Sequence, residues 1–125
     1  MLKKIVKYID FNGNERSDTL YFNLTDVEVA RLEVKFPGGL EKYINNFNAE
    51  ERPDEILDLF ETVLEMSYGI KSEDGRHFRK PPENTRDFME SAVYTKIFFE
   101  LLSDADVAAD FFKAVVFTHS KGSLN

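Results

Sequence analysis

The chain offers few side chains of the kinds that commonly catalyse reactions or bind metals. It contains no cysteine, which excludes disulfides, thiolate metal sites and a cysteine nucleophile. Its two histidines, His77 and His119, lie far apart in the sequence, and neither has a second histidine at the spacing of a metal site. Motifs for a serine nucleophile, a phosphate-binding loop or a dinucleotide are also missing. The sequence therefore predicts a protein that is not an enzyme and uses no cofactor or metal.

Two groups of charged side chains carry more information than the histidines. Carboxylates recur at helical spacing on one face of a predicted helix, at Asp54, Asp58, Glu61 and Glu65. Cations follow in the next loop, at Lys71, Arg76, Arg79 and Lys80. A carboxylate di-metal site would also need Glu-x-x-His pairs, which are absent. Both groups are typical of solvated surfaces. The alternative is that the basic loop of one subunit docks on the acidic face of another, which would build a homo-oligomer.

Length and charge limit the remaining classes of function. A chain of 125 residues fits one domain and can bury a core without disulfides. The formal net charge of −7 disfavours nucleic acid as a partner. No apolar run is long enough to cross a bilayer, and the first residues lack the apolar core of a signal peptide. We therefore expect a cytosolic protein that binds neither nucleic acid nor membrane.

The first third of the chain predicts a β-hairpin followed by helices. Alternating residues form two strands within 2–23, and Asn12-Gly13-Asn14 supplies the turn between them. We expect both faces of the first strand to be partly covered. Thr25 to Glu28 fits a capping box, which starts a helix that should end at Phe36-Pro37. A short second helix is predicted over 40–47.

The rest of the chain predicts further helices around one turn. A helix starting near Pro53 should end at Tyr68-Gly69, with the glycine in the left-handed conformation of a helix cap. Glu73-Asp74-Gly75 predicts a turn within a small hairpin or ordered loop. Pro81-Pro82 should prevent a helix from starting at once. The following helix should be capped by Asn84 or Thr85 and break near Glu90-Ser91, and a capping sequence from Ser103 to Asp106 should start the last helix.

These elements predict an α+β fold, mostly an α-helical bundle with an N-terminal β-hairpin. A single globular domain should span residues 1–117, with the hairpin within 2–23 and the helices within 25–117. Residues 118–125 are polar and have no period, so we expect a loose C-terminal tail.

Several runs of residues resemble one family of viral proteins. They are Ser67 to Phe78 (SYGIKSEDGRHF), Asp87-Phe88 leading to Ala92-Val93-Tyr94, and Phe99 to Phe111 (FELLSDADVAADF). Together with the opening YIDFNGNER before LYFNLTDVEVARLE, they are similar to the tail assembly chaperones of long-tailed, siphovirus-like bacteriophages. The resemblance extends over nearly the full chain and includes no catalytic motif.

The resemblance implies a non-enzymatic protein that acts in the cytoplasm of the bacterial host and is absent from the mature virion. Its implied partners are the tape measure protein, which it keeps soluble, and the tail tube protein, whose polymerisation it assists. Family members are commonly made in two lengths by a programmed ribosomal frameshift, so the resemblance also implies an extended form of this chain.

Four aromatic side chains are candidates for partner binding: Phe98, Phe99, Phe111 and Phe112. A chaperone for a helical client needs apolar surface beside charges, and an amphipathic helix would enter a groove lined by aromatics. Burial of all four in the core is the simpler interpretation, because aromatic side chains are readily buried. A functional alternative is an acidic phage protein that mimics the charge of DNA and inhibits a host nucleic-acid-binding protein.

Overall fold

The computed structural model describes residues 1–35 and 53–117 of the chain. Strands β1 (Leu2–Ile9) and β2 (Glu15–Phe22) form an antiparallel hairpin, as the sequence predicts. The Asp10 carboxylate organises the turn, since it accepts hydrogen bonds of 2.9 Å from the backbone N–H groups of Asn12 and Asn14. Gly13 takes a φ of 83°, a left-handed conformation that glycine adopts without steric cost.

The hairpin is buried on one face. Val6, Leu20 and Phe22 point inward and belong to the core, whereas Ile5 and Ile9 on the opposite face are 63% and 57% exposed. The expectation that both faces of the first strand are partly covered is therefore wrong. One-sided burial is usual for an antiparallel sheet, because helices need to pack on only one of its faces.

Two short strands extend the hairpin into a sheet. β3 (Tyr68–Lys71) pairs antiparallel with β2, with Tyr68 opposite Phe22, and β4 (Phe78–Arg79) pairs antiparallel with β3. The strand order is β1-β2-β3-β4. The predicted turn at Glu73-Asp74-Gly75 is confirmed, and Gly75 has a φ of 76°. Ser72 N–H donates to the His77 carbonyl oxygen at 2.9 Å to close the turn.

Gly69 has a different role from the predicted helix cap. It lies inside β3 and does not have a positive φ. A Cβ at this position would lie 2.5 Å from Phe78 Cε2 and 2.9 Å from the Arg79 carbonyl oxygen. Glycine is therefore required here because the backbone of β3 and the Phe78 ring approach each other closely.

The described residues contain five α-helices. They are α1 (Asp26–Lys35), α2 (Pro53–Ser67), α3 (Pro82–Met89), α4 (Ala92–Ser103) and α5 (Ala105–Phe112), which continues into a π-helical turn over Lys113–Phe117.

The predicted capping box of α1 is confirmed, since Thr25 N–H donates to Glu28 Oε1 at 2.9 Å and Glu28 N–H donates to Thr25 Oγ1 at 3.2 Å. The break before α4 is also confirmed, because Ser91 Oγ accepts from Tyr94 N–H at 3.2 Å.

Two helix starts differ from the prediction. α3 begins at Pro82 and not after Asn84 or Thr85, because a proline fits the first helical position, where the N–H would have no partner in the helix. α5 is capped by Asp104, whose carboxylate accepts from Asp106 N–H at 2.9 Å and from Val107 N–H at 3.3 Å. The Ser103 hydroxyl instead donates to the Phe99 carbonyl oxygen at 2.6 Å.

Several predictions fall outside the described residues. They are the end of the first helix at Phe36-Pro37, the helix over 40–47 and the loose tail over 118–125.

The predicted class of a helical bundle with a hairpin is wrong. The hairpin is present, but it is half of a four-stranded antiparallel sheet, and the five described helices do not form a clear bundle. Phe22 shows the arrangement, because its ring contacts Tyr68 of β3, Phe88 of α3 and Phe111 of α5 at centroid distances of 6.1, 5.9 and 5.3 Å. β2 is therefore an inner strand of the sheet, and helices pack on the face of the sheet where the Phe22 ring is buried.

Candidate functional site

The four aromatic candidates do not line one surface. Phe111 and Phe112 are buried, and the Phe112 ring lies 5.6 Å from that of Phe60 in the core. Phe98 is partly buried and packs edge-on against Phe60 at 6.1 Å. Phe99 is 61% exposed. Successive residues of a helix point about 100° apart, so the inward position of Phe98 turns Phe99 outward. Among these four, Phe99 is the side chain that offers a large apolar surface to a partner, and partner binding itself stays a prediction.

Phe99 stands between two open hollows that share Thr95 and Phe99. The larger has a volume of about 800 Å³ and lies between the turn end of the hairpin and α4. We call it the hairpin groove, and its lining includes Lys7, Tyr8, Ile9, Arg16, Lys96 and Phe99. The smaller hollow, of about 360 Å³, lies between α2, α3 and α4 and is lined by Glu61, Met89, Tyr94 and Phe98 in addition to the shared residues.

Hydrogen bonds and an ion pair lie next to the hairpin groove. The Tyr8 hydroxyl donates to Asp18 Oδ2 at 2.6 Å, and this bond is the main reason that the pKa of Tyr8 is raised. Arg16 Nε donates to Asp10 Oδ2 at 2.6 Å, which lowers the pKa of Asp10. An ion pair of 3.4 Å between Lys4 Nζ and Glu100 Oε2 joins β1 to α4. These contacts therefore lie beside the groove and connect β1 to β2 and to α4.

The groove carries cations in a protein that is acidic as a whole. Lys96 of α4 is exposed at the groove, whereas Lys7 lies with Ile5 and Ile9 on the outer face of β1. Arg16 is also present but is paired with Asp10, and Glu15 adds one carboxylate. The groove therefore carries charges of both signs, and its charge alone favours neither an acidic nor a basic partner.

The predicted acidic helix face is formed by exposed residues. Asp54, Asp58, Glu61 and Glu65 all lie on the solvent side of α2. The apolar residues of α2 face the core, where Ile56, Leu59, Phe60, Val63 and Leu64 are buried.

The predicted basic loop is divided between surface and interior. Arg76 and Arg79 are exposed. Lys71 is partly buried, with its Nζ 5.8 Å from the centre of the Tyr21 ring. Lys80 bonds within the chain, so it is not available to another subunit. Self-association through these two patches stays a prediction, which now rests on Arg76 and Arg79.

Lys80 forms a polar junction that the sequence does not predict. Its Nζ donates to the carbonyl oxygens of Asn23 and Met66 at 2.8 and 2.7 Å, and to Glu28 Oε1 at 2.7 Å. Burial raises the pKa of Glu28, but the hydrogen bonds from Lys80 and Thr25 outweigh that effect, so the pKa is lowered overall. The sequence carries no local signal for this junction, since its members are up to 57 residues apart.

His77 lines neither of the two hollows. His77 is exposed in the turn between β3 and β4, and its backbone N–H donates to Ser72 Oγ at 3.1 Å. His119 lies outside the described residues. Within residues 1–35 and 53–117, the structure brings together no group of three metal-binding side chains. Over the same two ranges, no helix has both the length and the apolar character needed to span a membrane.

Comparison with known proteins identifies a family. The family model described as phage tail assembly chaperone matches residues 1–118, which include every described strand and helix. No curated protein and no solved structure matches the chain. The matched range also includes the hairpin groove, Phe99 and the Lys80 junction.

Proposed function

Because the chain belongs to the phage tail assembly chaperone family, we propose that it binds the tape measure protein and assists polymerisation of the tail tube protein around it. The family match over residues 1–118 carries this proposal, and it confirms the family resemblance of the sequence. The proposed action is binding without catalysis, since a chaperone of this kind acts by covering its client.

The surface chemistry supports a binding role. A chaperone that keeps a client soluble needs apolar surface for contact and charge to remain in solution. Phe99 supplies exposed aromatic surface on α4, while the carboxylates of α2 and the net charge of −7 keep the chain itself soluble. The two hollows beside Phe99 add concave surface into which client side chains fit.

Co-expression tests the proposal directly. The tape measure protein of the same phage is produced with and without this chain, and its soluble fraction is measured after centrifugation. We expect the chain to raise that fraction severalfold, whereas an unrelated acidic protein of similar size should leave it unchanged. An equal insoluble fraction with and without the chain would contradict the proposal.

We further propose that the chain acts in the cytoplasm of the bacterial host, that it is absent from the mature virion, and that a frameshift-extended form accompanies it. Immunoblotting with an antibody to this chain tests all three statements. Infected cells should show two bands in the soluble fraction, and purified virions should show neither. A single band would argue against the extended form, and a signal in virions would argue against the non-virion role.

A further inference from the structure

The outer face of β1 is a surface that the described helices leave uncovered. Cations and isoleucines alternate along it, at Lys3, Ile5, Lys7 and Ile9. We call these four residues the outer sheet patch. Ile5 and Ile9 are more than half exposed, so the row presents apolar surface to a partner.

The two lysines of the outer sheet patch have no charged partner within the described residues. Neither Lys3 nor Lys7 forms an ion pair there, whereas Lys4, on the inner face of the same strand, pairs with Glu100 of α4. A surface that complements the patch therefore needs two carboxylates with an apolar side chain between them.

The acidic helix face of α2 has this pattern. Asp54, Leu57, Asp58 and Glu61 lie at positions i, i+3, i+4 and i+7, so they follow one stripe of the helix. All four are exposed, and Leu57 is the large apolar side chain among them, at 39% exposure. Within the described residues, none of the three carboxylates forms an ion pair.

The two surfaces also match in length. On a strand that rises about 3.3 Å per residue, Lys3 and Lys7 are about 13 Å apart, with Ile5 midway between them. On a helix that rises about 1.5 Å per residue, Asp54 and Glu61 are about 10 Å apart, with Leu57 between them. Long lysine side chains can span the difference. Ile5 can therefore contact Leu57 while both lysines pair with carboxylates.

We propose that the outer sheet patch binds the acidic helix face of a second copy of this chain. Contact between two sheet patches would place lysines against lysines, and contact between two helix faces would place carboxylates against carboxylates, so like charges disfavour both symmetric pairings. Each copy offers one surface of each kind, so the contact closes a ring or builds an open chain. This inference goes beyond the proposed function and does not depend on the client.

The basic loop is a weaker partner for the acidic helix face. Its exposed cations Arg76 and Arg79 follow Glu73 and Asp74, which reduce the attraction for carboxylates. On the outer face of the hairpin, β2 contributes one carboxylate, Glu15, which lies at the turn end and away from the centre of the patch.

Charge reversal on each surface tests the contact. Lys3→Glu with Lys7→Glu makes the sheet patch acidic, and Asp58→Lys with Glu61→Lys makes the helix face basic beyond the first turn of α2, where the helix dipole favours carboxylates. Sedimentation equilibrium is measured at about 0.01 M salt, where the screening length is about 30 Å. The mass of wild type should rise with concentration, and each reversal should raise the dissociation constant about tenfold.

The α2 reversal separates the contact from general repulsion. It makes the acidic chain less negative, which by itself would favour association, yet we expect association to weaken. Combining all four changes in one chain exchanges the charges of the two surfaces and keeps the wild-type net charge. That chain should associate nearly as strongly as wild type, and a mixture of the two double variants should associate as well.

Matched controls address position and stability. Arg76→Glu with Arg79→Glu changes the net charge as much as the sheet reversal does, but should leave association much closer to wild type. Ile5→Thr keeps a β-branched side chain on the strand and should weaken association, whereas Val34→Thr, at a position 88% exposed on α1, should not. All variants should keep thermal midpoints within about 4 °C of wild type, since they alter exposed side chains.

Several results would overturn the proposal. A wild-type chain that stays monomeric as its concentration rises would do so, as would a four-residue exchange that fails to restore association. Loss of association in the sheet reversal but not in the α2 reversal would indicate a symmetric contact between sheets. Loss in the loop reversal but not in the sheet reversal would indicate the basic loop instead. Solubilisation of the tape measure protein is measured separately, so failure of the proposed function is distinguishable from each of these results.

Discussion

Lys80 shows how a single side chain can connect distant parts of the fold. Its Nζ joins the end of β2 at Asn23, the first turn of α1 at Glu28 and the last turn of α2 at Met66. Carbonyl groups at a helix end lack partners within the helix, so a cation beside Met66 satisfies one of them. From the sequence, Lys80 is one of several cations in a loop that is predicted to be solvated, with contact to another subunit as the alternative. Only the tertiary structure distinguishes it from the exposed Arg79.

Replacing Lys80 tests this junction. Lys80→Met keeps the apolar stem but removes the ammonium group. The carbonyl oxygens of Asn23 and Met66 and the Glu28 carboxylate then lose this hydrogen-bond donor. We expect the free energy of unfolding in urea to fall by about 1–3 kcal/mol. The matched control Arg79→Met changes an exposed neighbouring cation and should have little effect. Equal stability of the two variants would show that the junction does not stabilise the fold.

Glu28 makes stability depend on pH in a defined direction. Its folded-state pKa lies below the ordinary value of 4.5, because hydrogen bonds from Lys80 and Thr25 outweigh the effect of burial. A carboxyl with a lowered pKa contributes stability above its unfolded pKa and loses it as pH falls through the folded pKa. Thermal midpoints measured between about pH 6 and pH 3 should therefore fall more steeply for wild type than for Glu28→Gln. Parallel curves for the two proteins would contradict this assignment.

At the scale of elements, the helices were more predictable than the sheet. α2 has a clear apolar stripe, and the capping groups Thr25 and Ser91 lie where the sequence places them. β3 and β4 have only four and two residues, too few to show an alternating pattern. Their pairing depends on a close approach at Gly69, which the sequence presents as an ordinary helix stop. The four-stranded sheet therefore could not be predicted from local patterns.

Gly69 offers a test of the β3–β4 contact. Gly69→Ala would bring a methyl group against Phe78 and the Arg79 carbonyl oxygen, so the strands must separate. We expect a loss of about 1–3 kcal/mol in urea unfolding, as for other overpacked sites.

The neighbouring Ser67→Ala is a useful comparison. The Ser67 hydroxyl is buried, and within the described residues it has no hydrogen-bond partner. Its removal should be neutral or stabilising, because an unsatisfied polar group is lost. If Gly69→Ala proves as harmless as Ser67→Ala, the close approach does not constrain the fold.

At the scale of the whole molecule, the division of aromatic side chains between core and surface decides which of them can bind a partner. The sequence correctly predicts aromatic-rich helices but cannot say which of two adjacent phenylalanines faces inward. That choice depends on contacts between elements, since Phe98 packs on Phe60 of α2 while Phe99 is exposed, and Phe111 and Phe112 are both buried. The hairpin groove was missed for the same reason, because it forms only where β1 meets α4.

Two alanine substitutions should separate core from surface. Phe112→Ala removes a side chain that is 1% exposed, and we expect it to lower the free energy of unfolding by about 3–5 kcal/mol. Phe99→Ala removes a mostly exposed ring and should leave stability nearly unchanged while reducing recovery of the tape measure protein. Urea unfolding and affinity purification of both variants provide the comparison. A large loss of stability in Phe99→Ala would place that ring in the core.

The pairing of β2 with β3 has a consequence for the speed of folding. The β1–β2 hairpin joins neighbours in the sequence, but Phe22 and Tyr68 meet only after the 45 residues between them have been folded back. Closing a long loop costs chain entropy before the contacts compensate for it, which slows folding. We therefore expect the N-terminal hairpin to form early and the joining of β2 to β3 to dominate the kinetic barrier. A newly made chain would reach its complete fold only after that step, because Phe88 and Phe111 of the helical layer pack on the same Phe22 ring.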